Sequence, residues 1–348
     1  MFLNQTVKQL TQTHALTPYW EVLFSTLQAK ALQLALEKNL FTQLSQAHTA
    51  EMIAEKLQLQ PQNCAYFLNL LSALKLLDIE VHQQQNYYVC SKIAAQYLNA
   101  DQHDYCGDAL LFRYQTIQRV SDNLTACLDP SFNITPSNHS NIAVAWANAA
   151  QKQIAQEQTA VTQHIAQYLT ALVPEFKTAS KLLDVGAGAG RVSVQFAQSF
   201  PALNCTLLEF PEVIAAIQPA LEQYDCASQL QFCSGNIETL EISQDYDIIW
   251  CSSVLHFVQG YPAVLSKLSN ALKPNGVLIC AHSERDIAQP HLRIQSHYFN
   301  MLTQGHFVPE KGQIAEALKS LGFHQIQQIE NVEFPVAPLD VIIARKSA

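Results

Sequence analysis

Residues 182–191 read LLDVGAGAGR, an apolar run that leads directly into a glycine-rich turn and then into a helix-like segment. Asp184 stands near the end of the apolar run, and Gly186, Gly188 and Gly190 form the turn. Glycine permits a sharp change of backbone direction and a close approach of a ligand to the main chain. This order predicts a strand, a ligand-binding turn and a helix, which is the repeating unit of a parallel α/β sheet.

The sequence after residue 178 alternates short apolar runs with helix-like segments. The runs are KLLDV, NCTLLE, LQFCS, DYDIIWC, GVLICA and DVIIAR. Such alternation is typical of strands joined by crossover helices in a parallel sheet. Residues 176–348 are therefore predicted to form one α/β domain with a Rossmann-like sheet.

A second acidic residue indicates which ligand the turn accepts. Glu209 ends the next apolar run, where a carboxylate can accept hydrogen bonds from a ribose diol. Dinucleotide sites use GxGxxG, but Arg191 occupies the third small position. The pattern here is DxGxGxG, and its extra acid, Asp184, would repel a pyrophosphate but suits an amino group and a sulfonium. S-adenosylmethionine is favoured over NAD, and a purely structural turn is the alternative.

The first hundred residues predict a different domain. Thr49 is a candidate N-cap before AEMIAEKL, and CAYFLNLLSALKLLDI has apolar residues at helical spacing. EVHQQQNYYVC then reads as a β-hairpin. The order helix, turn, helix and hairpin predicts a winged helix over residues 1–100. Residues 101–175 are predicted to be a helical connector that contributes to the substrate pocket.

The charge of the chain argues against nucleic acid as a partner. Residues 1–100 contain six Lys, no Arg and six acids, and the whole chain has a net charge of −9. DNA-binding domains instead use Arg and Lys for phosphates and guanine edges. Because the second apolar helix is better suited to packing against another subunit, we expect a homodimer through the N-terminal domain. We expect neither nucleic acid nor a membrane as a partner.

The cysteines and the N-terminal residues bear on location and metal binding. The nine cysteines are scattered without a CxxC pair, so no metal site is predicted. MFLNQTVKQL lacks the basic segment and apolar core of a secretory signal. No apolar run approaches the roughly 20 residues that a membrane helix needs. We therefore expect a soluble, cytoplasmic protein.

Taken together, the motifs resemble those of the O-methyltransferases related to plant caffeate and flavonoid enzymes, whose bacterial members act on phenazines, hydroxyindoles and polyketide antibiotics. ALEKNLF, TAEMIAEKLQLQ and FLNLLSALKLLDI are similar to that family's dimerisation domain. DVGAGAG, LEFPEVI, SGNIE, DYDIIWCSSVLHF, LSNALKPNGVLIC and IIARK are similar to its catalytic domain, in the same order. The resemblance covers almost the whole chain. It implies a class I methyltransferase sheet behind a winged-helix dimerisation domain, S-adenosylmethionine as cofactor and a setting in secondary metabolism.

The resemblance also assigns residues to the cofactor. Glu209 takes the ribose position of the family's usual aspartate, and Phe210 follows it in LEFPEVI. Asn236 and Ile237 fall where an aspartate and an apolar residue flank the adenine, and Ser252 replaces a common lysine. The predicted cofactor-binding residues are Asp184, Gly186, Gly188, Gly190, Glu209, Phe210, Asn236, Ile237 and Ser252.

His256, in SSVLHF, matches the family's catalytic histidine, and a structural histidine at this position is the alternative. A phenol must lose its proton for O-methylation, and a general base typically contributes about 10²–10⁴ in rate. Phe257 and Tyr298 replace aspartates of the family, and His282 falls where a glutamate is expected, with Glu284 nearby. The carboxylates that normally orient the histidine are thus missing or displaced. We expect His256 to act with His282 or Glu284, or alignment alone to carry the reaction.

The substrate pocket is expected between the carboxyl edge of the sheet and the middle helices. Trp146, Asn300 and Met301 are the predicted substrate contacts. The main hypothesis is O-methylation of a small hydroxylated aromatic metabolite with His256 as general base. The alternative is a cofactor-binding member of the same fold that does not methylate, such as a cyclase or a decarboxylase-like enzyme. A DNA-binding regulator is disfavoured by the charge.

Overall fold

The structure is a computed structural model that describes Val7, Leu10, residues 12–133 and residues 139–347. The chain divides into two compact units, Met1–Gly107 and Asp108–Ala348. The second unit contains both the segment predicted as a connector and the predicted catalytic domain. The domain boundaries predicted at residues 100 and 175 remain predictions.

The first unit has the element order of a winged helix. Its elements are α1 (Thr17–Glu37), α2 (Leu40–Gln43), β1 (His48–Thr49), α3 (Ala50–Leu57), α4 (Pro61–Ala73), β2 (Leu77–His82), β3 (Gln85–Cys90) and α5 (Lys92–Tyr97). Thr49 caps α3, since its hydroxyl accepts a hydrogen bond from the Met52 amide at 3.3 Å. β2 and β3 form the predicted hairpin, and β1 pairs with the other edge of β3. The predicted fold of this unit is confirmed.

The second unit begins with helices. These are α6 (Gly107–Asp122), α7 (Leu124–Cys127), α8 (His139–Ala149), α9 (Ala155–Glu157) and α10 (Gln163–Leu169). Two π-helical turns, Ala150–Ile154 and Gln158–Thr162, join α8, α9 and α10 into one run, which we call the middle helix. Single π-turns inside α-helices occur frequently at functional sites.

A seven-stranded sheet follows. Its strands are β4 (Lys181–Val185), β5 (Asn204–Glu209), β6 (Leu230–Ser234), β7 (Tyr246–Ser252), β8 (Leu272–His282), β9 (Phe323–Val332) and β10 (Leu339–Lys346). The strand order is β6-β5-β4-β7-β8-β10-β9. The five strands from β6 to β8 are parallel, which confirms the predicted α/β class.

The edge strands correct one detail of the sequence analysis. DVIIAR was expected in the parallel sheet, but β10 runs antiparallel to both β8 and β9. Only residues 333–338 join β9 to β10, and a parallel neighbour would need a crossover of a dozen or more residues. The short connection therefore reverses the chain, as in a hairpin.

Helices cover both faces of the sheet: α11 (Arg191–Ser199), α12 (Pro211–Leu221), α13 (Tyr261–Ala271), α14 (Leu292–Thr303) and α15 (Gln313–Ser320). Successive strand residues point to opposite faces, so Leu182 and Leu183 join different core clusters. A parallel sheet buried on both faces has continuous apolar strands, which explains why the runs were visible in the sequence. In the described part of the chain, no helix has the length and apolar character needed to cross a membrane.

Candidate active site

The glycine turn lies at the carboxyl end of β4, between its neighbours β5 and β7. Gly186, Gly188 and Gly190 have φ angles of +64°, +60° and +73°. These left-handed values are readily adopted by glycine and cost other residues energy. Gly190 is also the N-cap of α11, so the turn points the start of this helix at the sheet edge.

Close contacts give a second reason for glycine in the turn. A Cβ atom on Gly188 would lie 2.9 Å from Cγ2 of Ile154 and 3.0 Å from Nε2 of Gln158. A Cβ atom on Gly186 would lie 2.5 Å from Cγ2 of Val254, in the loop after β7. The turn is thus packed between the middle helix and the β7 loop.

Glu209 faces the turn from the end of β5. Its Oε1 accepts a hydrogen bond from the Gly188 amide at 2.9 Å, and its Oε2 accepts one from the Phe210 amide at 3.1 Å. Burial raises the pKa of this carboxyl to about 6. A carboxylate has about four acceptor positions, so each oxygen can still accept a hydrogen bond from a ligand hydroxyl.

Asp184 is buried below the turn. Its Oδ2 accepts a hydrogen bond from the Ser193 hydroxyl at 2.6 Å. Burial, reinforced by the nearby charge of Glu209, raises its pKa to about 7. Neither Asp184 nor Glu209 forms a salt bridge within the described ranges. One buried and one partly buried carboxyl without a cation fit a cationic ligand, which would supply the missing positive charge.

The other predicted cofactor residues lie around the same sheet edge. The amide of Gly235 donates to the carbonyl of Glu209 at 2.8 Å, which brings the loop after β6 beside β5. In this loop Oδ1 of Asn236 accepts a hydrogen bond from the Glu238 amide, and the Ile237 side chain is buried against α13. Phe210 is partly buried at the start of α12, and Ser252 ends β7.

His256 lies in the turn after β7 and is buried, with 1% of its surface exposed. Its Nε2 is 3.3 Å from the hydroxyl of Tyr298, whereas its buried Nδ1 has no hydrogen-bond partner among the described residues. Burial lowers its pKa to about 4. The imidazole is therefore neutral at pH 7 and can accept a proton.

The two groups expected to assist His256 are bound elsewhere. Nε2 of His282 accepts hydrogen bonds from the amides of Val254 and Leu255 at 2.9 and 3.0 Å. Glu284 accepts hydrogen bonds from the amides of Gly312 and Ile314 at the start of α15. His282 therefore holds the turn that carries His256, and Glu284 caps a helix. Neither side chain is hydrogen-bonded to His256 in the described part of the structure.

Aromatic rings surround His256. The ring of Phe257 is 4.8 Å from Trp146 and 5.3 Å from His306, both in edge-on geometry. Met301 is buried in a small cluster with Tyr298, against which Phe257 packs. The structure thus brings two predicted substrate residues, Trp146 and Met301, to the His256 turn. The third, Asn300, is half buried on α14, and its Oδ1 accepts a hydrogen bond from Gln304.

The sequence analysis missed side chains that hold the site. Gln158, on the second π-turn, donates to the carbonyl of Ala187 at 3.0 Å and accepts from the amide of Arg191 at 3.1 Å. Nζ of Lys267 donates to the carbonyls of Ile237, Glu238 and Leu240. Neither residue belongs to a recognisable motif, because its partners are far away in the sequence.

Comparison with known proteins identifies the family. Residues 155–328, half of the chain, match the family described as Methyltransferase domain. The chain belongs to the methyltransferase domain family. The matched segment contains the glycine turn, Glu209 and His256. In the described part of the chain, no group of three or more His, Cys, Asp or Glu residues is arranged to hold a metal ion.

Relatives and solved structures agree with the fold. An uncharacterised protein of Methanocaldococcus jannaschii is 27% identical over 71% of this chain, and the match spans 64% of that relative's length. The structure of human N-acetylserotonin methyltransferase in complex with S-adenosylmethionine has a TM-score of 0.79 at 19% identity, covering 97% of this chain and 99% of that one. An O-methyltransferase family protein of Burkholderia thailandensis has a TM-score of 0.77 at 16% identity, with coverage of 97% and 99%. At these identities the two structures show the fold.

Proposed function

We propose that this protein transfers a methyl group from S-adenosylmethionine to a hydroxyl group of a small aromatic molecule. The proposal is carried by one juxtaposition. The glycine turn, beside the buried carboxyl of Asp184 and the partly buried carboxyl of Glu209, contacts the loop of His256 through Gly186 and Val254. A cofactor on the turn and an acceptor at the histidine would therefore be neighbours.

The residues at the turn fit the proposed cofactor. Glu209 would accept hydrogen bonds from the ribose, and Asn236 and Ile237 would contact the adenine beside it. Asp184 is buried below the turn, where its carboxyl accepts a hydrogen bond from Ser193. It would attract the cationic cofactor by its negative charge rather than by a direct hydrogen bond. When bound, S-adenosylmethionine supplies an electrophilic methyl group attached to a sulfonium. Holding the two reactants in line can contribute roughly 7–11 kcal/mol to lowering the barrier.

His256 would act as the general base in the proposed reaction. An acceptor hydroxyl with a pKa of about 10 is protonated at pH 7, and the neutral imidazole can remove that proton as the new bond forms. A base whose pKa is far below that of the acceptor is weak, since efficient general bases have pKa values near the working pH. We therefore expect alignment to contribute more than proton removal.

The rings at the site support an aromatic acceptor. Trp146, Phe257 and His306 form one edge-on series, and Tyr298 and His256 form a second contact at 4.9 Å. Aromatic pairs prefer offset or edge-on arrangements and contribute about 0.5–1.5 kcal/mol beyond area burial. An aromatic ring placed beside Phe257 or Trp146 would extend this series.

Calorimetry with a charge-neutral variant tests the cofactor site. We expect Glu209→Gln to weaken S-adenosylmethionine binding at least tenfold, because its amide group would place a donor against an amide of Gly188 or Phe210. Glu212→Gln, three residues later and exposed, should bind as the wild type does. Equal affinities of wild type and Glu209→Gln would overturn the assignment of this site.

A second candidate function is cofactor binding without methyl transfer, as in a cyclase or decarboxylase-like enzyme. This candidate is favoured by the hydrogen bonds of His282, which falls where the family has a glutamate, and of Glu284 nearby. Both side chains accept hydrogen bonds from backbone amides and are not available to orient His256. Incubation with S-adenosylmethionine and a panel of phenols and hydroxyindoles separates the two functions. Formation of S-adenosylhomocysteine supports O-methylation, whereas tight binding without turnover on any acceptor supports the second function.

We further infer that the protein is a homodimer through its first unit. Residues 18–30 of α1 are all exposed. Six large apolar side chains are among them: Tyr19, Trp20, Val22, Leu23, Phe24 and Leu27. A contiguous apolar surface of this kind marks an interaction site, and the self-association that the resemblance implies would bury it.

A reducing, cytoplasmic location is the third inference. All nine cysteines are free thiols. Free thiols persist in the cytoplasm, whereas oxidising compartments favour disulfides. Mass spectrometry of alkylated protein from its native cells tests this, since disulfide-linked peptides would contradict it.

A further inference from the structure

One side chain of the middle helix is hydrogen-bonded to both ends of the glycine turn. Nε2 of Gln158 donates to the carbonyl of Ala187 at 3.0 Å, and its Oε1 accepts from the amide of Arg191 at 3.1 Å. Ala187 follows the first glycine of the turn, and Arg191 is the first residue of α11. A single carboxamide therefore bridges the turn on which the cofactor is proposed to bind.

The bond to Arg191 supplies a partner that the turn itself does not provide. The first amides of a helix have no partner within the helix, and a polar N-cap side chain usually accepts from one of them. The N-cap of α11 is Gly190, which has a left-handed φ of +73° and no side chain. A Cβ at this position would lie 2.7 Å from side-chain atoms of Leu207 and Leu221. Because a capping side chain does not fit there, Gln158 supplies an acceptor from another helix.

The middle of the turn is held from the sheet. The amide of Gly188 donates to Oε1 of Glu209 at 2.9 Å, and the amide of Gly190 donates to the carbonyl of Ala187 at 2.9 Å. The carbonyl of Ala187 thus accepts two hydrogen bonds, one from within the turn and one from Gln158. Glu209 acts from β5 and Gln158 acts from the middle helix, so each side chain supports a different part of the turn.

The missing side chain of Gly188 gives the carboxamide of Gln158 its place. A Cβ on Gly188 would lie 3.0 Å from Nε2 of Gln158 and 2.9 Å from Cγ2 of Ile154. Ile154 ends the first π-helical turn of the middle helix, and Gln158 begins the second. The two side chains are four residues apart and contact the same glycine. A side chain at Gly188 would therefore push against the carboxamide that holds both ends of the turn.

We propose that Gln158 is a positioning residue for S-adenosylmethionine, whose carboxamide holds the glycine turn in its binding conformation before the cofactor arrives. The inference rests on the proposed function, which assigns the cofactor to this turn. Glycine loses more conformational freedom on ordering than any other residue, and a site that is already ordered binds its ligand more tightly. The two bonds need a side chain that donates and accepts at once, and glutamine does so without a charge.

Hydrogen–deuterium exchange of the full-length protein without cofactor measures the bond to Arg191. Gln158→Met keeps the approximate size of the side chain and removes both hydrogen bonds. We expect the Arg191 amide to exchange about tenfold faster in this variant, the effect of one neutral hydrogen bond. Gln151→Met is the matched control, since Gln151 is exposed on the same helix and donates to the carbonyl of Ala216 in α12. Equal exchange of Arg191 in the wild type and in Gln158→Met would overturn the inference.

Calorimetry with S-adenosylmethionine tests the effect on binding. We expect Gln158→Met to bind the cofactor about tenfold more weakly than the wild type, whereas Gln151→Met should bind as the wild type does. With a phenol or hydroxyindole that yields S-adenosylhomocysteine, the KM for S-adenosylmethionine should rise and kcat should stay unchanged, because Gln158 acts on the turn and not on the reacting atoms. A fall in kcat with an unchanged KM would contradict a positioning role at the cofactor.

The inference and the proposed function fail by different results. Equal S-adenosylmethionine affinity of the wild type and Gln158→Met would overturn the inference and keep the proposed cofactor site. No binding by the wild type would overturn the proposed site and the inference with it. The exchange of the Arg191 amide needs no cofactor and reports on the hydrogen bond to Gln158 in both cases.

Discussion

Asp184 is an acid that the folded protein keeps partly protonated near neutral pH. Its folded pKa of about 7 lies above its ordinary value of 3.8. A raised pKa means that the native state binds the proton more tightly than the unfolded state does. The stability that this group contributes is therefore fully present below its ordinary pKa of 3.8 and is lost as the pH rises through its folded pKa of about 7.

Removing the charge of Asp184 should stabilise the protein without cofactor. At pH 8 we expect Asp184→Asn to have a free energy of unfolding about 4 kcal/mol higher than the wild type in urea denaturation, because about three pKa units correspond to that energy. The difference should shrink towards zero at pH 4. Asp225→Asn, at an exposed position, is the control. A destabilised Asp184→Asn at pH 8 would show that the hydrogen bond to Ser193 outweighs the cost of burial.

The same carboxyls make cofactor binding pH-dependent. A cation at the turn favours the ionised forms of Asp184 and Glu209, whose pKa values are raised to about 7 and about 6. Binding of S-adenosylmethionine should therefore release protons and strengthen as the pH rises from 5 to 8. Calorimetry in buffers of different ionisation enthalpy counts the protons. Proton uptake, or affinity independent of pH, would argue against a cationic ligand here.

His256 is the residue on which the chemical step is expected to depend. His256→Ala should lower turnover about 10²-fold or more with cofactor affinity nearly unchanged, since loss of a general base affects the chemical step. The loss should shrink as the pH approaches the pKa of the acceptor. Turnover at various pH values is the measurement, with His324→Ala on β9 as control. Near wild-type turnover at pH 7 would mean that alignment alone carries the reaction, and weaker cofactor binding would make His256 structural.

At the scale of elements, the glycine turn joins β4, α11 and the middle helix. Gly188 has a left-handed φ and is close to Ile154, whereas Gly322 has a φ of +83° with nothing within 4 Å of an added Cβ. Both Gly→Ala variants pay the left-handed cost of about 1–2 kcal/mol. We expect Gly188→Ala to cost more, because a Cβ at 2.9 Å from Cγ2 of Ile154 forces that side chain to move.

Urea unfolding and calorimetry measure the two effects of Gly188→Ala. The variant should also lose cofactor affinity, whereas Gly322→Ala should keep it. Ile154→Ala, added to Gly188→Ala, removes one of the two close contacts and should recover part of the stability. Equal costs for the two single glycine variants would show that the close contact contributes nothing.

At the scale of the whole molecule, residues 18–30 of α1 form the exposed apolar surface on which the dimer proposal rests. Trp20→Glu combined with Phe24→Glu should convert the expected dimer into a monomer in light scattering, since a charge cannot be buried cheaply in an apolar interface. Tyr168→Glu, at another exposed aromatic position, should leave the oligomeric state unchanged. A wild-type monomer at micromolar concentration would contradict the dimer proposal.

Short sequence segments were enough to predict the winged helix, the α/β sheet and the position of the glycine turn. The strands of the parallel sheet could be predicted because burial on both faces makes them apolar throughout. The winged helix could be predicted because its helix caps and its helical spacing of apolar residues are features of short sequence segments. β9 was not readable, since FHQIQQIENV at the sheet edge is largely polar and only half covered. The methyltransferase family could likewise be inferred from DxGxGxG and the motifs that follow, because each motif is a short continuous segment.

Tertiary structure decided what each site residue contacts. The sequence placed His256 after β7, but strand order and loop paths bring Tyr298 to it and commit His282 and Glu284 to backbone amides. Gln158 lies on the second π-turn of the middle helix and reaches the carbonyl of Ala187 in the glycine turn. These hydrogen bonds join residues 28 to 42 positions apart and depend on the path of all the chain between them. No short sequence pattern determines that path. The sequence therefore predicts His256 as the candidate base but does not predict its contact with Tyr298.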